Sequence, residues 1–179
     1  MGKRKVAILV ENDYQDQEVW VPLYRLREEG HETVVVGPRA GEYVSKYGYP
    51  IRAEVAASEV RAADLAGVVI PGGWAPDRLR QDPGVLKLVR EANEARRVVA
   101  SICHGGWVLA SAGVARGRRL TSYQAIRDDM IHAGADFVDQ EVVRDGNLIT
   151  SRKPDDLPAF CREIVRALKE VSSPREPSS

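Results

Sequence analysis

The string Ile102-Cys103-His104-Gly105-Gly106 sets a thiol beside an imidazole, directly after an apolar run and directly before two glycines. A strand that ends there and a helix that starts there would form a nucleophile elbow, a sharp turn that lifts one side chain above a sheet. The thiol would stand at a helix N-terminus, where the dipole and free N–H groups favour a thiolate. His104 has the chemistry of a general base or acid. Pro71-Gly72-Gly73 closes another apolar run, and an N–H from that turn could join the N–H of His104 in an oxyanion hole. Thiol, imidazole and paired N–H donors together support nucleophilic addition to a carbonyl.

The other candidates read differently. Cys161, in Ala159-Phe160-Cys161-Arg162, reads as a core-facing helical residue. Two cysteines make no disulfide framework, and no C-x-x-C pair suggests zinc or redox exchange. His31 and His132 read as surface residues. There is no Walker A string and no G-x-G-x-x-G after the first strand, so no nucleotide cofactor is expected. No cluster at metal-ligand spacing stands out, so no metal is expected either.

Strands and helices alternate along the chain to position these groups. Strands are expected over 5–10, 31–36, 65–70, 98–102 and 147–151, with another within 137–143. Helices are expected over 16–29, 83–96, 107–112, 122–133 and 154–171. Pro22 falls in the first turns of its helix or kinks it. Residues 41–54 read as a hairpin excursion inserted into the pattern, not a second domain. The alternation predicts an α/β fold with a mostly parallel central sheet. Ligands in such sheets bind outside the carboxyl ends of the strands. There, three elements would meet: Glu11-Asn12-Asp13 with Glu18 beyond it, Pro71-Gly72-Gly73, and Cys103-His104.

The chain has 179 residues, with Lys plus Arg at 26 and Asp plus Glu at 26, for a formal net charge of zero and a pI near 6.8. That balance argues against a nucleic-acid coat or an anionic-membrane binder, both of which need a basic surplus. It fits a small, largely neutral substrate. The apolar run after the basic start is too short for a signal peptide, and no stretch approaches a membrane span. A cytoplasmic protein with reduced thiols is expected. One domain over 4–171 and a disordered, Pro/Ser-rich tail over 172–179 complete the expected organisation.

The chain resembles the DJ-1/PfpI family, and within it the PfpI branch. The resemblance lies in Val69-Ile70-Pro71-Gly72-Gly73-Trp74-Ala75-Pro76-Asp77 and Ala100-Ser101-Ile102-Cys103-His104-Gly105, then in Gly117-Arg118, Thr121-Ser122-Tyr123, Asp128-Asp129 and residues 147–160. It implies a flavodoxin-like three-layer sandwich with Cys103 as nucleophile and His104 beside it. It also implies that Glu18 hydrogen-bonds the cysteine, and that Asp77 completes a Cys-His-acid triad across a subunit interface. Tyr123 lies near the site, and Gly73 and His104 supply the oxyanion N–H groups, with Gly72 in the same turn. Without the resemblance, Glu18 reads as a solvated charge in a first helical turn, and Asp77 as a helix cap. Two positions depart from the family pattern. Gln15 stands where relatives often carry Glu, and Gly106 where Pro is common. Trp74, beside the Pro-Gly-Gly turn, is expected to line or cover the pocket.

The resemblance further implies a homo-oligomer, a dimer or a hexamer built from dimers, with the aromatics of 43–49 as the candidate contact. The implied activities are glutathione-independent conversion of small dicarbonyls or their adducts, intracellular peptide hydrolysis, or a redox-sensor or chaperone role through oxidation of Cys103. The partner expected is a small carbonyl compound or a peptide.

Overall fold

In the computed structural model, whose described residues are 4–172, β-branched runs become strands and the amphipathic runs between them become helices. In chain order these are β1 (Lys5–Leu9), α1 (Asp16–Glu28), β2 (Thr33–Gly37), β3 (Gly41–Val44), β4 (Pro50–Ala53), β5 (Val55–Ala56), β6 (Leu65–Ile70), α2 (Ala75–Leu79) and α3 (Pro83–Glu94). There follow β7 (Val98–Ile102), α4 (Gly106–Ser111), β8 (Arg119–Leu120), α5 (Arg127–His132), β9 (Asp136–Phe137), β10 (Val143–Asp145), β11 (Leu148–Ser151) and α6 (Leu157–Ser172).

The main sheet has the order β10-β11-β7-β6-β1-β2-β5, parallel except for the antiparallel edge strand β10. Its central strands are buried on both faces, as uniformly apolar runs require. Helices α1 and α6 cover one face, α3 and α4 the other, giving the flavodoxin-like three-layer sandwich that the sequence implies. Phe160 of α6 is among the largest fully buried side chains. Adjacent strands β7, β6 and β1 end side by side, so the three chemically interesting segments do converge. The 41–54 excursion is the antiparallel β3–β4 hairpin.

Several segments depart from expectation. Helix is predicted over 122–133, but the α-helix covers only 127–132, after a 3-10 turn at Gln124–Ile126. Thr121 N–H donates to Thr150 Oγ1 at 2.9 Å and Tyr123 N–H to the Cys103 carbonyl at 3.2 Å, which holds the start of this stretch extended against β11 and the elbow. Pro154–Asp156 is a 3-10 turn, tightened by the Asp156 carboxylate on the Arg152 backbone N–H at 3.0 Å, and α6 starts after it. That helix runs through Ser172, one residue into the predicted tail; the rest of the tail lies outside the described residues. The strand predicted within 137–143 splits into β9 and β10. The short β5, β8 and α2 carry too few residues to show a period. Pro22 sits in the interior of α1, which continues through it. Tyr43 is not an exposed contact: it is buried, and its hydroxyl donates to the Arg39 carbonyl at 2.9 Å.

Replacing Phe160 with alanine removes a fully buried ring between α6 and the sheet, and is expected to cost about 3–5 kcal/mol in urea denaturation. A loss below about 1 kcal/mol would contradict its place in the core.

Candidate active site

The turn after β7 forces Cys103 to a φ of 60°, the left-handed region that a side-chain-bearing residue adopts only when its surroundings dictate it. Three residues of 3-10 helix, Cys103–Gly105, then lead into the six-residue α4. The thiol is 8% exposed. Two backbone N–H groups, of His104 and Gly73, are aimed at the sulfur and favour its thiolate. They are the pair predicted for an oxyanion hole. His104 Nδ1 lies 3.3 Å from Sγ.

Glu18 is fully buried in the first turn of α1, at 0% exposure, and is not the solvated charge that its position alone suggests. Gly72 N–H donates to its Oε2 at 2.6 Å. The two loops that hold this contact are joined: Trp74 N–H donates to the Asp13 carbonyl at 2.9 Å, and Gln15 N–H to the Gly72 carbonyl at 3.3 Å. Gly72 is required by space. A Cβ there would lie 2.5 Å from Glu18 Oε2 and 2.7 Å from Cys103 Cβ. Gly73 is required by conformation as well, with φ +74° and the Asp13 carbonyl 2.5 Å from where a Cβ would be.

The electrostatics correct one expectation. The thiol is not an exposed group of low pKa. Burial, and then the Glu18 carboxylate, push it up to about 12 against the pull of the two N–H donors. Burial likewise raises Glu18 from 4.5 to about 7, opposed by its bonds to Gly72 and Cys103. Glu18 Oε1 is buried without a partner at ordinary hydrogen-bond geometry, so the thiol beside it is the group with which it can exchange a proton. The two groups form a pair that resists carrying two negative charges. Protonating Glu18 removes the charge that opposes a thiolate held by the N–H groups of His104 and Gly73.

His104 is walled by aromatic rings: Tyr123 stacks on it at 4.9 Å between centroids, with Trp107 at 5.2 Å and Trp74 at 5.6 Å. Desolvation lowers its pKa, with a smaller push from Lys46, so the ring is neutral near pH 7. Trp74 is 58% exposed and Tyr123 40%, so both rim the opening, as expected of Trp74. Trp107, anchored by its Nε1–H on Asp129 Oδ2 at 2.9 Å, was not among the predicted site residues. Its place three residues after His104 in a helix is the signal that could have found it.

Above the thiol lies a cavity of about 500 Å³, lined by Gln15, Glu18, Gly73, Trp74, Cys103, His104 and Tyr123 together with Lys46, Ala125, Lys153 and Pro154. Lys46 and Lys153 come from the hairpin turn and from the loop after β11, and nothing in their local sequence marks them. Asp77 is not drawn in. It is exposed within α2, which starts before it, so it does not cap that helix. Its carboxylate makes no hydrogen bond or ion pair among the described residues. Gly106 is helical, and a Cβ there would meet Met130 Sδ at 3.0 Å. Cys161 is buried in α6, its thiol pushed up to about 11 by burial. It borders a larger cavity of about 640 Å³ between α1 and α6, which shares only Pro154 with the cavity over Cys103. Among the described residues, no group of three His, Cys, Asp or Glu side chains is placed to hold a metal ion, and no helix is long and apolar enough to cross a membrane.

A parallel α/β sheet with one cysteine on a strained strand-to-helix turn, facing a buried carboxyl, defines a class of flavodoxin-like proteins built round a single thiol. Residues 4–167 match the DJ-1/PfpI family, and the chain belongs to it. Deglycase PfpI of Pyrococcus furiosus is 42% identical over 165 residues, 92% of this chain and 99% of that protein. YraA of Bacillus subtilis, whose name offers cysteine protease as a provisional activity, is 39% identical over 93% of this chain and 99% of its own. A crystal structure from Anabaena variabilis, of a protein with DJ-1/ThiJ/PfpI-like and ferritin-like domains, superposes with a TM-score of 0.90 at 40% identity. It covers 98% of this chain, which spans 52% of that longer one.

The raised pKa of Glu18 makes stability depend on pH in a defined sense. The fold favours the protonated carboxyl, so this contribution is complete below about 4.5 and is lost as pH rises through about 7. Glu18→Gln keeps an acceptor for Gly72 N–H and removes the titration. In urea denaturation it should gain about 3 kcal/mol on the wild type between pH 4 and pH 8. A stability difference that does not change with pH would contradict the buried, proton-holding carboxyl.

Proposed function

We propose that the protein is a cysteine-dependent enzyme acting on small reactive carbonyls and their amine adducts, a deglycase or glyoxalase that needs no glutathione. The observation that carries this reading is the placement of Cys103 Sγ between two backbone N–H donors and the buried carboxyl of Glu18. The name of the Pyrococcus furiosus relative supports it.

With methylglyoxal, Cys103 Sγ attacks the aldehyde carbon and passes its proton to Glu18. The oxygen that gains charge is held by Gly73 and His104 N–H. The product is a hemithioacetal. His104, kept neutral by its aromatic walls, removes the proton from the former aldehyde carbon, and the neighbouring carbonyl carbon is reprotonated through an enediol. The resulting lactoyl thioester is hydrolysed by water to lactate and free Cys103. With an amine adduct, the same thiol displaces the amine at the carbinol carbon. The C–S bond forms as the C–N bond breaks, the amine leaves with a proton, and the later steps are shared.

Asp77 enters this reading only from a second subunit. His104 makes no hydrogen bond through Nε2 among the described residues, which leaves room for a carboxylate from a neighbouring copy. The exposed rings of Tyr24, Tyr47 and Tyr49, on α1 and the hairpin, offer an apolar face for such assembly. A cytoplasmic setting, which keeps the thiol reduced, belongs to the same reading.

Peptide hydrolysis is the second reading, favoured by the name of the Bacillus subtilis relative. The same thiol and N–H donors serve both. A redox-sensing role has less support, since it needs an exposed thiol of low pKa.

Wild type and Cys103→Ala, each given methylglyoxal and scored for lactate, separate these readings. The variant should lose at least about 10³-fold in rate. Equal rates would sink the enzyme reading, while Cys103-dependent cleavage of short fluorogenic peptides without lactate would establish the peptidase.

A further inference from the structure

The wall of the cavity over Cys103 includes an exposed lysine that the steps above leave unused. It is Lys46, beside Gln15 and Glu18. The turn that carries Lys46 is pinned. Its own N–H donates to the Tyr14 carbonyl at 3.0 Å. Next to it, Ser45 Oγ donates to Asp16 Oδ1 at 2.6 Å and accepts the N–H groups of Tyr47 at 3.2 Å and Tyr49 at 2.9 Å. The ammonium makes no ion pair with any described residue and lies over the face of the Tyr47 ring, 5.3 Å from the centroid. The second lysine of the wall, Lys153, is already committed to Asp155 at 3.4 Å.

Lys46 also acts on the reacting groups: its charge lowers the pKa of both Glu18 and His104. A chain of zero net charge has no overall excess of positive charge to gather anions, and a cation in the cavity wall supplies a local attraction. The cavity thus offers two N–H donors to a developing oxyanion and has in its wall an exposed lysine whose ammonium makes no ion pair among the described residues.

We infer that Lys46 recognises a carboxylate on the compound that reacts at Cys103, so that the preferred substrates are carbonyl adducts of free amino acids, with the carboxylate a few bonds from the carbon attacked. This substrate class rests on the carbonyl reading above. The recognition of an anion beside Cys103 does not.

Alkylation with iodoacetate and with iodoacetamide tests the anion site alone. In both, Cys103 Sγ displaces iodide as the C–S bond forms and the C–I bond breaks, and the thiol proton passes to Glu18 or water. Both reagents meet the same sulfur, so any change in its nucleophilicity cancels in the ratio of rates, read by mass spectrometry on the Cys103 peptide. The iodoacetate-to-iodoacetamide ratio should fall about fivefold in Lys46→Gln, the size of a partly solvated ion pair. It should be kept in Lys46→Arg and should shrink in raised salt for the wild type. An equal ratio in wild type and Lys46→Gln would overturn the inference, whatever the enzyme's substrate proves to be. For the substrate class, the kcat/KM ratio of the methylglyoxal adduct of alanine to that of alaninamide should fall about fivefold in Lys46→Gln, through KM. An unchanged ratio would overturn that part. Lactate production that does not depend on Cys103 would instead mark failure of the carbonyl reading.

Discussion

A thiol and a carboxyl are held together out of water, and they cannot both be charged. This constraint organises the site. Burying Glu18 completely is costly unless it holds a proton or hydrogen bonds, and the fold supplies one donor, the Gly72 N–H. Burying Cys103 beside it pushes the thiol up, and the turn supplies two further donors to offset that. The N–H groups of Gly72 and Gly73 come from the loop after β6 and that of His104 from the elbow after β7, while Glu18 follows the loop after β1. The loops can supply them only if β1, β6 and β7 are neighbours in the sheet. Strand order, the two glycines after β6 and the left-handed backbone at Cys103 are therefore parts of one arrangement.

The elements outside the sheet hold that arrangement in place. The hairpin is tied to the loop after β1 by Asp13 N–H on the Val44 carbonyl at 2.8 Å and by Val44 N–H on Asn12 Oδ1 at 2.9 Å. The stretch after α4 is tied to the elbow by Tyr123 N–H on the Cys103 carbonyl. Segments distant in sequence thus line one cavity of about 500 Å³ over the thiol.

Much of this was legible in the sequence. The β-branched runs that end in Cys103 and in Pro71-Gly72-Gly73 announced both the parallel sheet and the two loops that matter. The burial of Glu18 was not legible from its helix, because a carboxyl in a first turn has a ready reading as a surface charge. Only the resemblance singled it out. Lys46 left no trace at all, because its importance arises from a loop-to-loop contact that no local pattern encodes. The start of the helix predicted from 122 was misread for the same reason: the hydrogen bonds of Thr121 and Tyr123 to Thr150 and Cys103 override a local pattern that suits a helix, which begins only with the 3-10 turn at 124–126. The thiolate expected from a helix dipole failed on length. A 3-10 turn and a six-residue helix offer oriented N–H groups but little dipole, and desolvation dominates.

Pro22 in α1 has a mechanical consequence. Proline lacks the N–H that would bond to the carbonyl four residues earlier, and that residue is Glu18. The helix is therefore missing one rung between its first turn and the turns that pack Leu23 and Leu26 into the core. The first turn is held instead by the loops, through Asp16 to Ser45 and Glu18 to Gly72. The carboxyl that faces Cys103 is thus braced from the strand-end loops as well as from its own helix, across the point where α1 lacks a rung.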